Sequence, residues 1–104
     1  MGSYQVEITN AARREIRNLP GHARPLIFRE LQSLEKDARP YSSKGMKSTK
    51  SFKIPKDVEL RRIRIDRWRV VYVIEPELSL VTVLAVRKRP PYQYEDLEEL
   101  LKEV

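Results

Sequence analysis

Residues 59–74, ELRRIRIDRWRVVYVI, leave little choice of structure. Two runs rich in β-branched and aromatic residues flank the polar pair Asp66-Arg67, which predicts two antiparallel strands joined by a tight turn. With only those two residues in the turn, Ile65 stands opposite Trp68, Arg64 opposite Arg69, Ile63 opposite Val70, Arg62 opposite Val71 and Arg61 opposite Tyr72. Side chains alternate between the faces of a strand, so this register sorts the hairpin into two sides. Ile63, Ile65, Trp68, Val70 and Tyr72 share a face suited to the core, while Arg62, Arg64 and Arg69 gather on the other. Like charges directly opposite each other cost a sheet about 0.2–1 kcal/mol per pair, so an anionic partner is expected to compensate. Guanidinium groups suit phosphate in particular, because their planar fork meets two oxygens at once and stays charged. A solvated sheet face is the plain alternative, and the clustering weighs against it.

Charge is localised along the chain. Between Lys44 and Arg69 stand ten basic and three acidic residues, a surplus of seven against a whole-chain net charge of +6. The remainder is close to neutral, and a basic patch of this kind attracts nucleic acid. An acidic protein or an anionic membrane could use the same patch, but no basic amphipathic helix favours a membrane. At 104 residues the chain reads as a single domain, 1–104, with one core. The absence of cysteine excludes disulfides and thiolate chemistry and suits a reducing compartment. With no apolar run of about 20 residues and no secretory pattern at Met1–Gln5, a soluble, cytoplasmic domain is expected.

Upstream of the hairpin, Tyr4–Ile8 alternates as a half-buried strand. Thr9 or Asn10 then caps a helix whose inward stripe is Ala12, Ile16 and Leu19, ended by Pro20-Gly21. A second helix is expected to begin near His22, with Pro25 in its first turn and Leu26, Ile27, Leu31 and Leu34 buried. The two form an αα-hairpin that can cover one side of a sheet. His22, the sole histidine, reads as a surface residue at a helix start rather than a ligand or base.

Residues 41–57 read as a polar loop with lysines at every third position: Lys44, Lys47, Lys50, Lys53 and Lys56. The spacing is either coincidence or a basic arm following a phosphate backbone, with Phe52 and Ile54 pinning part of it to the body. Downstream of the hairpin, Leu80–Val86 predicts another strand. Pairing Val73 with Val81 would set Arg87 and Arg89 on the side of Arg69, whereas a one-residue shift would turn them away. That pairing also leaves Val71, Val73, Val81 and Val83 as an apolar patch on the arginine face, which needs a cover. A last helix capped by Asp96 and carrying Leu97, Leu100, Leu101 and Val104 is one candidate, and a partner's amphipathic helix with acidic residues is another. No His, Asp or Glu spacing suits a metal and no glycine-rich phosphate loop is present, so neither cofactor nor metal is expected.

RRIRIDRWRVVYVIE and VLAVRKRPPYQYEDL, in the order strand, αα-hairpin, basic loop, three strands and short helix, resemble the RelE/ParE toxin superfamily. The likeness is closest to the RelE branch, spans nearly the whole chain, and departs in layout only at the lysine loop. It implies an α+β fold: an antiparallel sheet in the order β-α-α-β-β-β, an αα-hairpin on one face and a short C-terminal helix. It further implies a metal-independent endoribonuclease that cuts messenger RNA in the ribosome and is held inactive by a cognate antitoxin protein. In that chemistry the RNA 2'-hydroxyl attacks the adjacent phosphodiester, leaving a cyclic phosphate and a 5'-hydroxyl. A base must take the proton, cations must stabilise the phosphorane, and an acid must protonate the leaving oxygen.

By resemblance, Arg69 and Arg89 match the phosphate-stabilising and leaving-group arginines, Arg62 and Arg64 fall where RelE has two lysines, and Tyr92 or Tyr94 falls near a base-stacking or activating tyrosine. Lys44, Lys47, Lys50, Lys53, Lys56, Arg61, Arg87 and Lys88 would supply RNA and phosphate contacts. Arginine stays protonated in proteins, so Arg62 and Arg64 can hold phosphate but are poor proton acceptors. The base is then Glu59, Lys88, a deprotonated tyrosine or a group of the ribosome. A ParE-like gyrase inhibitor and a non-catalytic RNA-binding relative stand as the alternatives.

Overall fold

A computed structural model describes residues 3–48, 53–88 and 97–102. Among the described residues, the elements are β1 (Gln5–Ile8), α1 (Asn10–Arg17), α2 (Ala23–Ser33), β2 (Ser43–Gly45), β3 (Glu59–Ile65), β4 (Trp68–Glu75), a 3-10 turn (Pro76–Leu78), β5 (Leu80–Lys88) and α3 (Leu97–Leu101). The strands form one five-stranded sheet in the order β1-β5-β4-β3-β2. It is antiparallel from β5 to β2, and β1 pairs parallel to β5 at the edge. No described helix is long and apolar enough to cross a membrane.

Helices α1 and α2 follow from local chemistry. Thr9 caps α1, its Oγ1 accepting from the Ala12 N–H at 3.1 Å, and Ala12, Ile16 and Leu19 point inward. From α2, Ala23, Ile27, Leu31 and the following Leu34 are buried at spacings of four, four and three, with Leu26 at the margin. These side chains pack on Ile63, Ile65, Trp68, Val70 and Tyr72, the apolar face expected of the hairpin, and also on Ile74. The hairpin register is also as expected, from Ile65 opposite Trp68 to Arg61 opposite Tyr72. Asp66 adopts φ 55° in the turn, a left-handed conformation that Asp tolerates better than most residues.

Tyr72 is fully buried and donates from its hydroxyl to the Ala38 carbonyl at 2.7 Å, which ties the segment after α2 to the central strand. Burial pushes its phenol up from the usual tyrosine range.

The register of β5 differs from expectation. Val73 pairs with Thr82, not Val81, so Val81 and Val83 face the αα-hairpin instead of the arginine side. An irregularity opposite Val71 and Tyr72 then inserts one residue into β5, and Leu84 and Ala85 both turn to the second face. Without that bulge Arg87 would stand opposite Trp68 on the helix-covered side. With it, Arg87 stands opposite Arg69.

Residues 41–57 also carry more structure than a polar loop. Ser43–Gly45 pairs with Arg61–Ile63 and covers an edge of β3 that would otherwise present unpaired backbone groups. Ser43 is anchored by its backbone N–H and its hydroxyl, both donating to Pro40 O. Ile54 packs against the body as expected, whereas Phe52 lies outside the described residues.

The second face is covered. Leu60, Val71, Val73, Leu84 and Ala85 form a cluster closed by Leu100 and Leu101 of α3, with Ala11, Met46, Ile54 and Val58 at its rim. Central β4 is therefore buried on both sides, which explains its unbroken run VVYVI. Asp96 and Val104, expected in the last helix, lie outside the described residues.

Candidate anion site on the arginine face

At the end of the second cluster, the sheet gathers cations on two rungs. Lys44 pairs with Arg62, and one rung along, Arg64, Arg69 and Arg87 stand in a row across β3, β4 and β5. Ser42, Lys44, Arg62, Arg64 and Arg69 line a hollow of about 130 Å³. At its floor Arg69 is only 9 % exposed, and its Nη1 donates to the Trp68 carbonyl at 3.3 Å. Among the described residues no carboxylate pairs with Arg69. A guanidinium carries five N–H donors, so a buried one whose partner among the described residues is a single carbonyl retains strong capacity for an anion.

Arg87 is held differently. The Glu15 Oε2 accepts from Arg87 Nε at 3.0 Å, and Glu15 Oε1 accepts from the Val86 N–H at 3.0 Å. The pairing of β1 with β5 ends at Val83, so Glu15 satisfies an edge amide that no strand reaches. It also moderates the repulsion of the three-arginine rung. Sequence reasoning missed this residue. Its signal was that Glu15 is the lone acidic side chain in α1, NAARREIR.

The hollow draws in some expected site residues and leaves others out. Arg62, Arg64, Arg69, Lys44 and Arg87 converge on it or adjoin it. Arg61 lies on the helix-covered face, its Nε donating to Ser43 Oγ at 3.0 Å and its Nη1 to Glu59 Oε2 at 2.6 Å. Lys88 stands opposite Trp68, on that same side, at the end of β5. Lys47, Lys53 and Lys56 are exposed and do not line the hollow. Lys50, Arg89, Tyr92 and Tyr94 lie outside the described residues. Among the described residues no cluster of three or more His, Asp or Glu side chains is arranged to hold a metal ion.

Glu59, one candidate for the base, is also turned away. It lies on the face of Arg61, five residues along β3 from Arg64, or about 17 Å at strand spacing. Burial works to raise its carboxyl pKa, but the bonds from Arg39 at 2.8 Å and Arg61 at 2.6 Å outweigh this and hold it below the ordinary range. A depressed folded-state pKa stabilises the protein above the unfolded value, about 4.3, and the contribution fades as pH falls through the folded one. Glu59→Gln is therefore expected to cost about 1 kcal/mol at pH 7, since its side chain is 34 % exposed and the pairs are partly screened. Urea unfolding should show a smaller difference at pH 3 than at pH 7. An equal deficit at both pH values would assign the effect to packing instead.

Residues 6–90 match the ParE toxin of the type II toxin–antitoxin system parDE. The chain belongs to that toxin family. Its place in the RelE/ParE superfamily agrees with the fold of this ParE-family toxin. An archaeal RelE–RelB complex from Pyrococcus horikoshii is similar at TM-score 0.73 and 19 % identity, over 86 % of this chain and 99 % of that one. The toxin–antitoxin complex RelBE2 from Mycobacterium tuberculosis is similar at TM-score 0.66 and 21 % identity, over 84 % and 99 %. The isolated E. coli RelE toxin is similar at TM-score 0.59 and 21 % identity, over 97 % and 98 %. At these identities the likeness is one of fold. No curated protein matches the chain by sequence.

Proposed function

We propose that this toxin is an endoribonuclease that cuts messenger RNA on the ribosome, without a metal ion, and is held inactive by a cognate antitoxin. The observation that carries the reading is the buried Arg69 at the floor of a hollow lined by Lys44, Arg62 and Arg64, with no carboxylate among the described residues to neutralise it. The RNA 2'-oxygen bonds to phosphorus, the bond to the 5'-oxygen breaks, and the phosphorane between them carries extra negative charge. Fixed guanidinium groups aimed at that charge lower the barrier without reorganising during the reaction. Arg69, Arg64 and Arg62 serve in that role, and Arg89 assists the leaving 5'-oxygen. The proton acceptor is Tyr92, Tyr94 or a ribosomal group, since Glu59 and Lys88 belong to the other face. Two of the similar folds are toxin–antitoxin complexes, which supports an antitoxin as partner.

The second reading is inhibition of DNA gyrase, favoured by the match of residues 6–90 to the ParE toxin. Purified toxin added to ribosomes programmed with end-labelled message separates the two. Fragments ending in 2',3'-cyclic phosphate and 5'-hydroxyl groups are expected. Intact message together with blocked gyrase supercoiling would select the second reading, and RNA binding with neither effect would mark a non-catalytic relative.

A further inference from the structure

The other face of the molecule holds a second cationic feature that the hollow does not account for. Between α1 and α2 runs a groove of about 530 Å³ lined by Asn10, Arg13, Ile16, Arg17, Arg24 and Phe28. Arg13 and Arg17 stand one turn apart on α1, and Arg24 and Phe28 one turn apart on α2. Among the described residues no acidic side chain lines the groove, and no carboxylate pairs with any of its three arginines. Phe28 is 44 % exposed, one of only three large hydrophobic side chains so exposed among the described residues. Arg24 is steadied by its Nε, which donates to the Leu19 carbonyl at 3.3 Å.

Arg17, in the last turn of α1, complements that helix's dipole, but two other features of the arrangement oppose the helices that carry it. Like charges at Arg13 and Arg17 repel across one turn, and Arg24 places a cation in the first turn of α2, where the helix dipole favours anions. An anionic occupant would relieve both. A partner protein's helix would need a row of apolar anchors spaced along the groove. Here the apolar surface is a single side chain, because Ile16 is buried beneath the groove and only Phe28 is open. One exposed aromatic ring among three phosphate-binding forks is the combination that holds single-stranded nucleic acid, with a base on the ring and phosphates on the cations.

We propose that the groove between α1 and α2 is a second RNA-binding surface, in which a base stacks on Phe28 while neighbouring phosphates lie against Arg13, Arg17 and Arg24. It lies across the sheet from the hollow around Arg69, since α1 and α2 pack on the opposite face. The toxin thus holds RNA on two sides, and the groove sets affinity without touching the bond to be cut. Binding in the groove goes beyond the nuclease reading, while the statement that RNA is held on two sides rests on it.

The test is binding of a fluorescent twelve-nucleotide oligouridine to Arg69→Ala protein, read by anisotropy across a salt series. Cleavage is not read, so a toxin that cuts nothing still tests the groove. Phe28→Ala in this background is expected to weaken binding by roughly 5- to 150-fold, the usual effect of losing one stacked base. Arg13→Gln combined with Arg17→Gln should lower the slope of log affinity against log salt by about 1.4, at about 0.7 per single-strand phosphate contact. All three positions are exposed, so the variants should melt within a few degrees of their parent. Unchanged affinity and slope in both variants would overturn the proposal. So would unchanged RNA binding together with loss of binding to an acidic antitoxin, which would assign the groove to a protein.

Discussion

Under the proposed nuclease activity, Arg69→Ala is expected to lower cleavage of ribosome-bound message by about a hundred- to a thousandfold, the usual effect of removing one preorganised donor from a developing oxyanion. The fold should survive. Removing Arg69 deletes the middle of the row Arg64, Arg69, Arg87 and relieves two like-charge pairs of about 0.2–1 kcal/mol each. Against this stands the lost packing of a stem that is 9 % exposed. The two offset, so urea unfolding should move by no more than about 1 kcal/mol while activity collapses. Arg69→Lys should fall between wild type and alanine, because it restores the charge but not the fork that meets two phosphate oxygens. Full activity in Arg69→Ala would remove the hollow from the chemistry.

Trp68→Ala, one residue away, should do the reverse. Trp68 is 8 % exposed and packs with Ile63, Ile65, Val70 and Val86 under the αα-hairpin. Truncating a buried aromatic of this size costs about 3–5 kcal/mol, a large share of the 5–15 kcal/mol that stabilises a typical domain. A melting midpoint lowered by more than about 10 °C is expected. Any loss of cleavage should follow the fraction unfolded, recovering when the assay temperature is lowered. A loss of stability under about 1 kcal/mol would mean that this end of the hairpin is less closely packed than its burial indicates. These two outcomes would separate the proposed binding role from a packing role at neighbouring positions, because a strand turns successive side chains to opposite faces.

That alternation also decides how much could be read from the sequence. The β3–β4 hairpin was legible down to individual pairs, because charged and apolar residues alternate in RRIRI and the two-residue turn pins the register. The arginine cluster follows from the same parity. Strand β5 offered little guide: LVTVLAV is apolar towards both faces except at Thr82, which is itself buried, so a one-residue shift displaces a single small polar side chain. Its bulge is a tertiary event, and Arg87 reaches the side of Arg69 through it rather than through the expected pairing of Val73 with Val81. The short strand Ser43–Gly45 has no pattern of its own and forms because β3 has an edge to cover. Arg61 joined the expected phosphate ligands on charge alone, although its register opposite Tyr72 already set it on the core side, where Ser43 and Glu59 hold it.

Mapping messenger RNA 5' ends in cells, after brief induction of the wild type and of Arg69→Ala, tests the central claim most directly. The account predicts new ends within translated regions, in register with codons, present for the wild type and absent for the variant. Growth arrest by the wild type with no new ends would contradict it and turn attention to gyrase.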